Sequence, residues 1–178
     1  EMETKAVLLV VGDDVAAPFE RLAEDLGVRG RVIFAGARRD LPTIYPAADA
    51  FVLPTLYETF ALVCLEALAS GLPVLASPVG GIEDYLHDGV NGLHIQRDAT
   101  DIARKLDRLL NDRELHARLR EAGIATAGNY DWQKIAQQYL QLFHEQIAER
   151  ALTAGIPAAP RRSGGSRGLA APNPSTSV

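Results

Sequence analysis

Residues 54–74 read Pro54-Thr55-Leu56-Tyr57-Glu58-Thr59-Phe60-Ala61-Leu62-Val63-Cys64-Leu65-Glu66-Ala67-Leu68-Ala69-Ser70-Gly71-Leu72-Pro73-Val74. The apolar run at 50–53 predicts a strand ended by Pro54. Residues 60–70 predict a strongly apolar helix ended by Gly71, and 73–76 predict the next strand. Between strand and helix a loop presents Glu58, and the helix opens with backbone N–H groups that lack intrahelical partners. Such a start favours anions, phosphates above all. Glu66 falls inside the helix among Leu62, Val63, Cys64, Leu65, Ala67 and Leu68. A carboxylate buried in that run needs a partner or a ligand, because burying it alone is costly.

Working outward, the same alternation repeats. Strands are predicted at 6–11, 31–35, 50–53, 73–76 and 93–95. Helices are predicted at 15–26, 41–48 (irregular at Pro46), 60–70, 82–87, 100–111, 113–127 and from Trp132, capped by Asp131, to about Arg150. Strands alternating with helices argue for an α/β domain with a mostly parallel sheet. Ligands of such sheets bind beyond the carboxyl ends of the strands, so the loops at 12–14, 36–39, 54–59 and 77–81 are the ones to examine.

Charge and composition narrow the chemistry. The 178 residues are 47% hydrophobic and 23% charged, with a net charge of −5. Three of the 18 basic residues, Arg161, Arg162 and Arg167, lie beyond 150 and none of the 23 acidic ones does, so residues 1–150 carry −8. That balance excludes a nucleic-acid backbone as the main partner. A lone cysteine, Cys64, allows no intrachain disulfide and fits a reducing compartment. Its place in the apolar helix makes it a core residue. The four histidines show no metal-ligand spacing. Asp13 and Asp14 read as turn residues, and Trp132 as a packing anchor. Residues 151–178 are rich in Ala, Pro, Gly, Ser and Arg with no aromatic residue. That composition predicts a disordered tail after a folded domain at 1–150.

Glu58 and Glu66 have seven residues between them. If most of that span is helical, they lie roughly 10–12 Å apart along the axis, at about 1.5 Å per residue. This suits the two ends of a nucleotide sugar: one carboxylate for sugar hydroxyls, the other for ribose hydroxyls, with the helix start facing the diphosphate. The residues taken alone also allow a plainer reading, in which Glu58 only caps the helix and Glu66 is solvated. Gly80-Gly81 is likewise open between a second anion-binding helix start and a tight turn that needs positive φ.

The larger pattern resembles the C-terminal domain of family 4 glycosyltransferases, enzymes of the GT-B fold. The matching pieces are Leu8–Asp13, Val32–Gly36, the Tyr45–Asp49 region, Phe51–Thr55 and Glu58 to Glu66. After these come Gly71, Pro73–Ser77, Val79-Gly80-Gly81, Asp88–Leu93 and the Trp132 helix. The resemblance covers about residues 6–148. It implies a Rossmann-like parallel sheet with flanking helices, and hexosyl transfer from a nucleoside-diphosphate sugar with retention. It also implies that no cofactor or metal is needed. Glu58 matches the glutamate that binds the donor sugar and takes the catalytic place, positioning the sugar rather than attacking it. Phe60, Ala61 and Leu62 match positions whose backbone amides lie near the sugar and distal phosphate. Glu66 matches the ribose-binding glutamate, and Ala37 and Arg38 the segment that contacts the nucleobase through backbone. Thr59 and Ala61 stand where many members have glycine, and the Ala61 side chain narrows the approach to the sugar.

The resemblance also implies what to expect beside this chain. Members of the family carry a first, acceptor-binding domain, and an arginine and a lysine after the first strand of the second domain. The sequence here opens with Glu1 at what matches the second strand, and so reads as a fragment. In the strand order 3-2-1-4-5-6 the first strand is central, so the strands at 6–11 and 50–53 are expected to lack a shared neighbour. The expected partners are a nucleotide-sugar donor, an acceptor of unknown class (glycan, lipid or small molecule) and an N-terminal domain in cis or in trans. No nucleic acid and no membrane span are expected. The expected location is the cytoplasm, with membrane contact left to the other domain. The alternative is a non-catalytic nucleotide-sugar-binding or interaction module.

Overall fold

The computed structural model describes residues 6–153. Strands and helices alternate: β1 (Leu8–Val10), α1 (Ala17–Asp25), β2 (Val32–Phe34), α2 (Leu41–Ile44), β3 (Phe51–Leu53), α3 (Leu62–Ala69), β4 (Val74–Ala76) and β5 (Leu93–His94). Three helices follow: α4 (Ala99–Asn111), α5 (Arg113–Ala127) and α6 (Trp132–Thr153). Residues up to 134 belong to one compact unit, and the rest of α6 to a second. The tail expected at 151–178 lies outside the described residues from 154 onward, and α6 itself continues to Thr153. Among the described residues no helix is long and apolar enough to cross a membrane.

The strands pair in parallel, as α/β alternation requires. β3, β4 and β5 form one sheet in that order, with Phe51 opposite Val74 and Leu75 opposite Leu93. β4 is its centre, and Val74, Leu75 and Ala76 are all 0% exposed. Its side chains alternate between two cores. Val74 and Ala76 pack with Tyr45, Cys64, Leu68, Ile82, Tyr85 and Leu86. Leu75 packs on the opposite face with Leu93, Ile95, Leu109, Leu115 and Leu119. Helices thus cover both faces of this sheet, the arrangement that a buried parallel strand needs. α5 can close on α3 because position 123 is glycine: a Cβ there would lie 2.7 Å from Leu68 Cδ2. Asp98 caps α4 by accepting from Asp101 N at 2.9 Å, and Asp112 caps α5 by accepting from Leu115 N at 2.9 Å. Asp131 accepts from Gln133 N at 2.6 Å, the cap that the sequence implies for α6.

β1 pairs only with β2, as a separate two-stranded sheet. Each of β1 and β3 keeps one edge outside any ladder of the described residues. The consequence is visible in burial. Leu8, Leu9 and Val10 are 56%, 42% and 37% exposed, although an apolar strand of this kind belongs in a core. α1 turns an apolar side to this sheet but leaves an open cleft of about 480 Å³ lined by Leu8, Val10, Phe19, Leu22, Val32 and Phe34. None of the proposed site residues lines it.

Three local expectations are corrected. The helix predicted at 60–70 begins only at Leu62, because Ala61 takes a left-handed conformation (φ 50°, ψ 66°) that no helical residue can hold. The helix predicted at 82–87 is absent: a single 3₁₀ turn at Gly80–Ile82 gives way to irregular turns. Trp132, expected as a packing anchor, is 73% exposed at the start of α6. The irregularity expected at Pro46 is present, since α2 passes into a 3₁₀ turn at Tyr45–Ala47.

Unequal burial sets unequal local stability. In hydrogen exchange read by mass spectrometry, amides of β4 should be the most protected, and those of β1 should exchange at least roughly tenfold faster. Equal protection of β1 and β4 would mean that β1 has a partner on its second edge.

Candidate functional site

The loop between β3 and α3 is built by constraints from three other segments. Gly80 and Gly81 lie directly against it. A Cβ on Gly80 would run into the Glu58 carbonyl oxygen, and one on Gly81 into the Thr59 carbonyl oxygen. Gly81 N donates to Thr59 O at 3.0 Å. Of the two readings left open for this pair, the structure shows the tight turn, since Gly80 has φ 53° in the 3₁₀ turn Gly80–Ile82, and close approach to the Glu58 loop adds a second demand for glycine. From a second direction the buried Tyr85 donates its hydroxyl to Ala61 O at 3.0 Å. The Phe60 ring meets Tyr85 and Tyr130 edge to face, with centroids 5.5 and 5.6 Å away, and those two rings stand 5.8 Å apart. Such edge-to-face contacts add to simple area burial.

The loop so held places Glu58 at the start of α3. Its Oε1 accepts from Thr59 N at 2.9 Å and Phe60 N at 3.4 Å. Hydrogen bonds from the backbone amides of Ala61, Thr59 and Phe60 hold this carboxyl below the usual carboxylate range. Glu58 is therefore an anion across neutral pH, able to accept from hydroxyls. Ala61 is buried at 5%, whereas Leu62, the first residue of α3, is 51% exposed. Cys64, on the buried side of α3, has its thiol pushed up to about 12 by burial and is an inert core residue.

Glu66 departs from expectation in one respect. It is exposed, not buried in the apolar run. Helical rotation explains this: Leu62, Val63, Glu66 and Ala69 share the outer side, and Cys64, Leu65, Ala67 and Leu68 the inner one. Glu66 nevertheless has a partner, since Tyr45 donates its hydroxyl to Oε2 at 3.0 Å. Residues 58–61 precede α3, so the axial spacing reckoned for a helical span holds only from Leu62 onward.

Ala37 and Arg38 follow β2, at the carboxyl end of the other sheet. The Arg38 guanidinium is engaged by Asp40 through two bonds, Nε to Oδ1 at 2.8 Å and Nη2 to Oδ2 at 2.6 Å. The pairing lowers Asp40 and raises Arg38 from their ordinary values. Arg38 is therefore committed to shaping its own loop, and what the segment offers a ligand is backbone. Glu58, Phe60, Ala61, Leu62 and Glu66 form one continuous loop and helix, whereas Ala37 and Arg38 come from a separate sheet.

With this geometry in view, likeness to known proteins decides the family. The family described as Glycosyl transferases group 1 matches residues 1–126. The chain belongs to that family. Among relatives of this glycosyltransferase domain, the D-inositol 3-phosphate glycosyltransferase of Stackebrandtia nassauensis is 37% identical over 149 residues, covering 82% of this chain and 32% of the relative. The lipopolysaccharide core biosynthesis glycosyltransferase LpsE of Rhizobium meliloti is 39% identical over 124 residues, covering 68% of this chain and 36% of its own. The chain spans about a third of the length of the curated relatives it matches. Among solved structures, Anabaena HepE in complex with UDP-glucose is similar at a TM-score of 0.73 and 27% identity, over 78% of this chain and 41% of that one. Sucrose-phosphate synthase of Thermosynechococcus elongatus has the same TM-score at 32% identity, over 80% and 39%. The fold is therefore α/β of the GT-B glycosyltransferase kind.

The residues to which sequence reasoning gave no role are those that hold the site: Tyr45, Tyr85, Tyr130 and Asn91. Asn91 is 3% exposed. Its Nδ2 donates to Tyr85 O at 2.6 Å and Thr126 Oγ1 at 2.8 Å, and its Oδ1 accepts from His87 N at 2.7 Å. It thus fixes the turn that carries Tyr85. The Asn91-Gly92 pair marks a turn in the sequence, but nothing local marks the asparagine as buried.

Ala61 is the one non-glycine residue with positive φ among the described residues. Left-handed backbone costs an alanine about 1–2 kcal/mol, and glycine gives back roughly 0.5–1 kcal/mol through its freer unfolded state. Ala61→Gly should therefore stabilise the chain by about 0.5–1 kcal/mol, read as a higher urea midpoint at unchanged slope. A lower midpoint would mean that the alanine methyl contributes more packing than its backbone costs.

Proposed function

We propose that this chain is the donor-binding part of a retaining hexosyltransferase that uses a nucleoside-diphosphate sugar. The observation that carries the proposal is the pairing of an anionic Glu58, held on the amides of Thr59 and Phe60 in the loop before α3, with a Glu66 carboxylate presented to solvent on α3. Glu58 accepts from sugar hydroxyls and orients the ring. The Phe60 and Ala61 amides, which hold Glu58, lie near the sugar, and the Leu62 amide at the α3 start faces the distal phosphate and stabilises the charge that grows as the diphosphate departs. Glu66 accepts from ribose hydroxyls, and the backbone of Ala37 and Arg38 meets the base. No metal takes part in this reading. UDP-glucose in the HepE structure supports the donor class. Acceptor binding falls to a partner region, in keeping with relatives about three times as long. The isolated chain accordingly binds donor without transferring sugar. The cytoplasm is the location proposed for this chemistry.

Calorimetry on the chain with UDP, GDP and ADP tests the binding roles. Glu66→Ala should weaken the tightest of these roughly tenfold to over a hundredfold, since a hydrogen bond to a charged group is worth about 1.5–3 kcal/mol. Glu58→Ala should leave nucleoside-diphosphate affinity nearly unchanged and weaken the sugar nucleotide. Equal affinity of wild type and Glu66→Ala would remove the ribose role. Sugar transfer by the purified chain, tried against a broad acceptor panel, would refute the division of labour.

The lowered Glu58 value gives a pH dependence of known sign. A depressed carboxyl keeps its charge above the ordinary range and loses it only as pH falls through its own value. The preference for sugar nucleotide over nucleoside diphosphate should be flat through neutral pH and vanish in acid. A preference lost between pH 6 and 8 would point to a different group.

A further inference from the structure

The Tyr45–Glu66 hydrogen bond spans 21 positions of sequence and joins a buried group to an exposed one. Tyr45 is 7% exposed, with its ring edge to face on Phe51 at 6.0 Å between centroids. It belongs to the core under β4 that also contains Cys64 and Leu68. Its hydroxyl therefore points from a fixed place. Glu66, by contrast, is an exposed glutamate, a side chain that normally samples many rotamers in water. The tie to Oε2 selects among those rotamers.

We infer that Tyr45 is a positioning residue for ribose recognition, fixing the Glu66 carboxylate so that it receives the two adjacent hydroxyls of a ribonucleotide. The inference rests on the reading of Glu66 as the ribose carboxylate. A carboxylate has about four acceptor sites. Tyr45 takes one on Oε2, which leaves Oε1 and the other side of Oε2 for a pair of neighbouring hydroxyls. A 2′-deoxy or 3′-deoxy nucleotide supplies one donor fewer and leaves an acceptor less well satisfied. The cost of that loss depends on how firmly the carboxylate is held: a free glutamate can turn to water, and a tied one less so. Burial, and the bond to Glu66, raise the Tyr45 phenol well above its ordinary value, so it stays a donor at any physiological pH.

The variant Tyr45→Phe keeps the ring and removes only the hydroxyl. The probe is whichever of UDP, GDP and ADP binds wild type most tightly, together with its 2′-deoxy and 3′-deoxy forms, all measured by calorimetry. Wild type should prefer the ribonucleotide by about tenfold or more, and Tyr45→Phe should weaken ribonucleotide binding about three- to tenfold, the range for one hydrogen bond. In Tyr45→Phe the ribo-to-deoxy preference should shrink, while the thermal midpoint changes little. In a Glu66→Ala background, Tyr45→Phe should have no further effect on binding. An undiminished ribo-to-deoxy preference in Tyr45→Phe would overturn the role of Tyr45 and leave that of Glu66 standing. So would an equal loss of affinity with and without Glu66. A wild type that binds ribo and deoxy forms alike would overturn the ribose reading of Glu66, and this inference with it.

Discussion

The hydrogen bond from the buried Tyr85 hydroxyl to the Ala61 carbonyl oxygen holds the chain at the point where it must reverse direction. Coming off β3, the backbone has to turn into α3 within a few residues, and it does so through a left-handed residue that is not glycine. An L-residue stays there only where its surroundings compel it. Here three contacts do so: the Tyr85 hydroxyl, the Phe60–Tyr85–Tyr130 ring cluster, and the bare backbone of Gly80-Gly81 pressed against Glu58 and Thr59. With that turn fixed, the amides of Thr59 and Phe60, just before α3, converge on the Glu58 carboxylate. Were it relaxed into helix, α3 would begin earlier and Glu58 would lie on a different side of it.

The division of the fold follows from where burial is complete. β4 has a partner on each edge and a core on each face, and it carries the segment 77–82 that supports the Glu58 loop. β1 and β2 have no such enclosure. Their side chains are exposed and an open cleft lies under α1, whereas the loop at 58–61 is braced by the fully buried core on β4. Rigid placement matters most at the sugar and diphosphate, where bonds change, and least at the base, where backbone contacts alone are proposed.

Local signals made most of the frame legible. The period of apolar residues, the Gly and Pro stops and the Asp131 cap gave every strand and every long helix to within a few residues. Glu58 stood out as a carboxylate in the loop before a helix start, and Glu66 as a carboxylate set in an apolar run. What stayed hidden was what depends on distant partners. Ala61 carries no local mark of a left-handed residue, so the start of α3 was placed two residues early. Glu66 looked buried because its neighbours are apolar on nearly all sides of the helix, and only packing on β4 and α5 decides which side faces inward. The 82–87 segment has helical composition, yet Asn91 holds it as turns through bonds to His87 N and Tyr85 O, and is itself tied to Thr126 Oγ1 on α5.

The supporting tyrosines also explain how an exposed site can be precise. Neither proposed carboxylate is buried, so neither bears the desolvation cost of a buried charge. Both would ordinarily lose selectivity through motion. Glu58 is restrained by short local bonds to its own following amides, which need only the turn to be right. Glu66 cannot be restrained that way, because the amide groups around it are already used within α3. Its restraint has to arrive from another element, and Tyr45 is the side chain that supplies it, from a 3₁₀ turn set by Pro46. The two carboxylates thus stay in water, open to hydroxyl donors, while the groups that aim them are the backbone in one case and a core tyrosine in the other. Charge remains cheap to keep at the surface, and order is drawn from the interior, where the packed rings are already fixed.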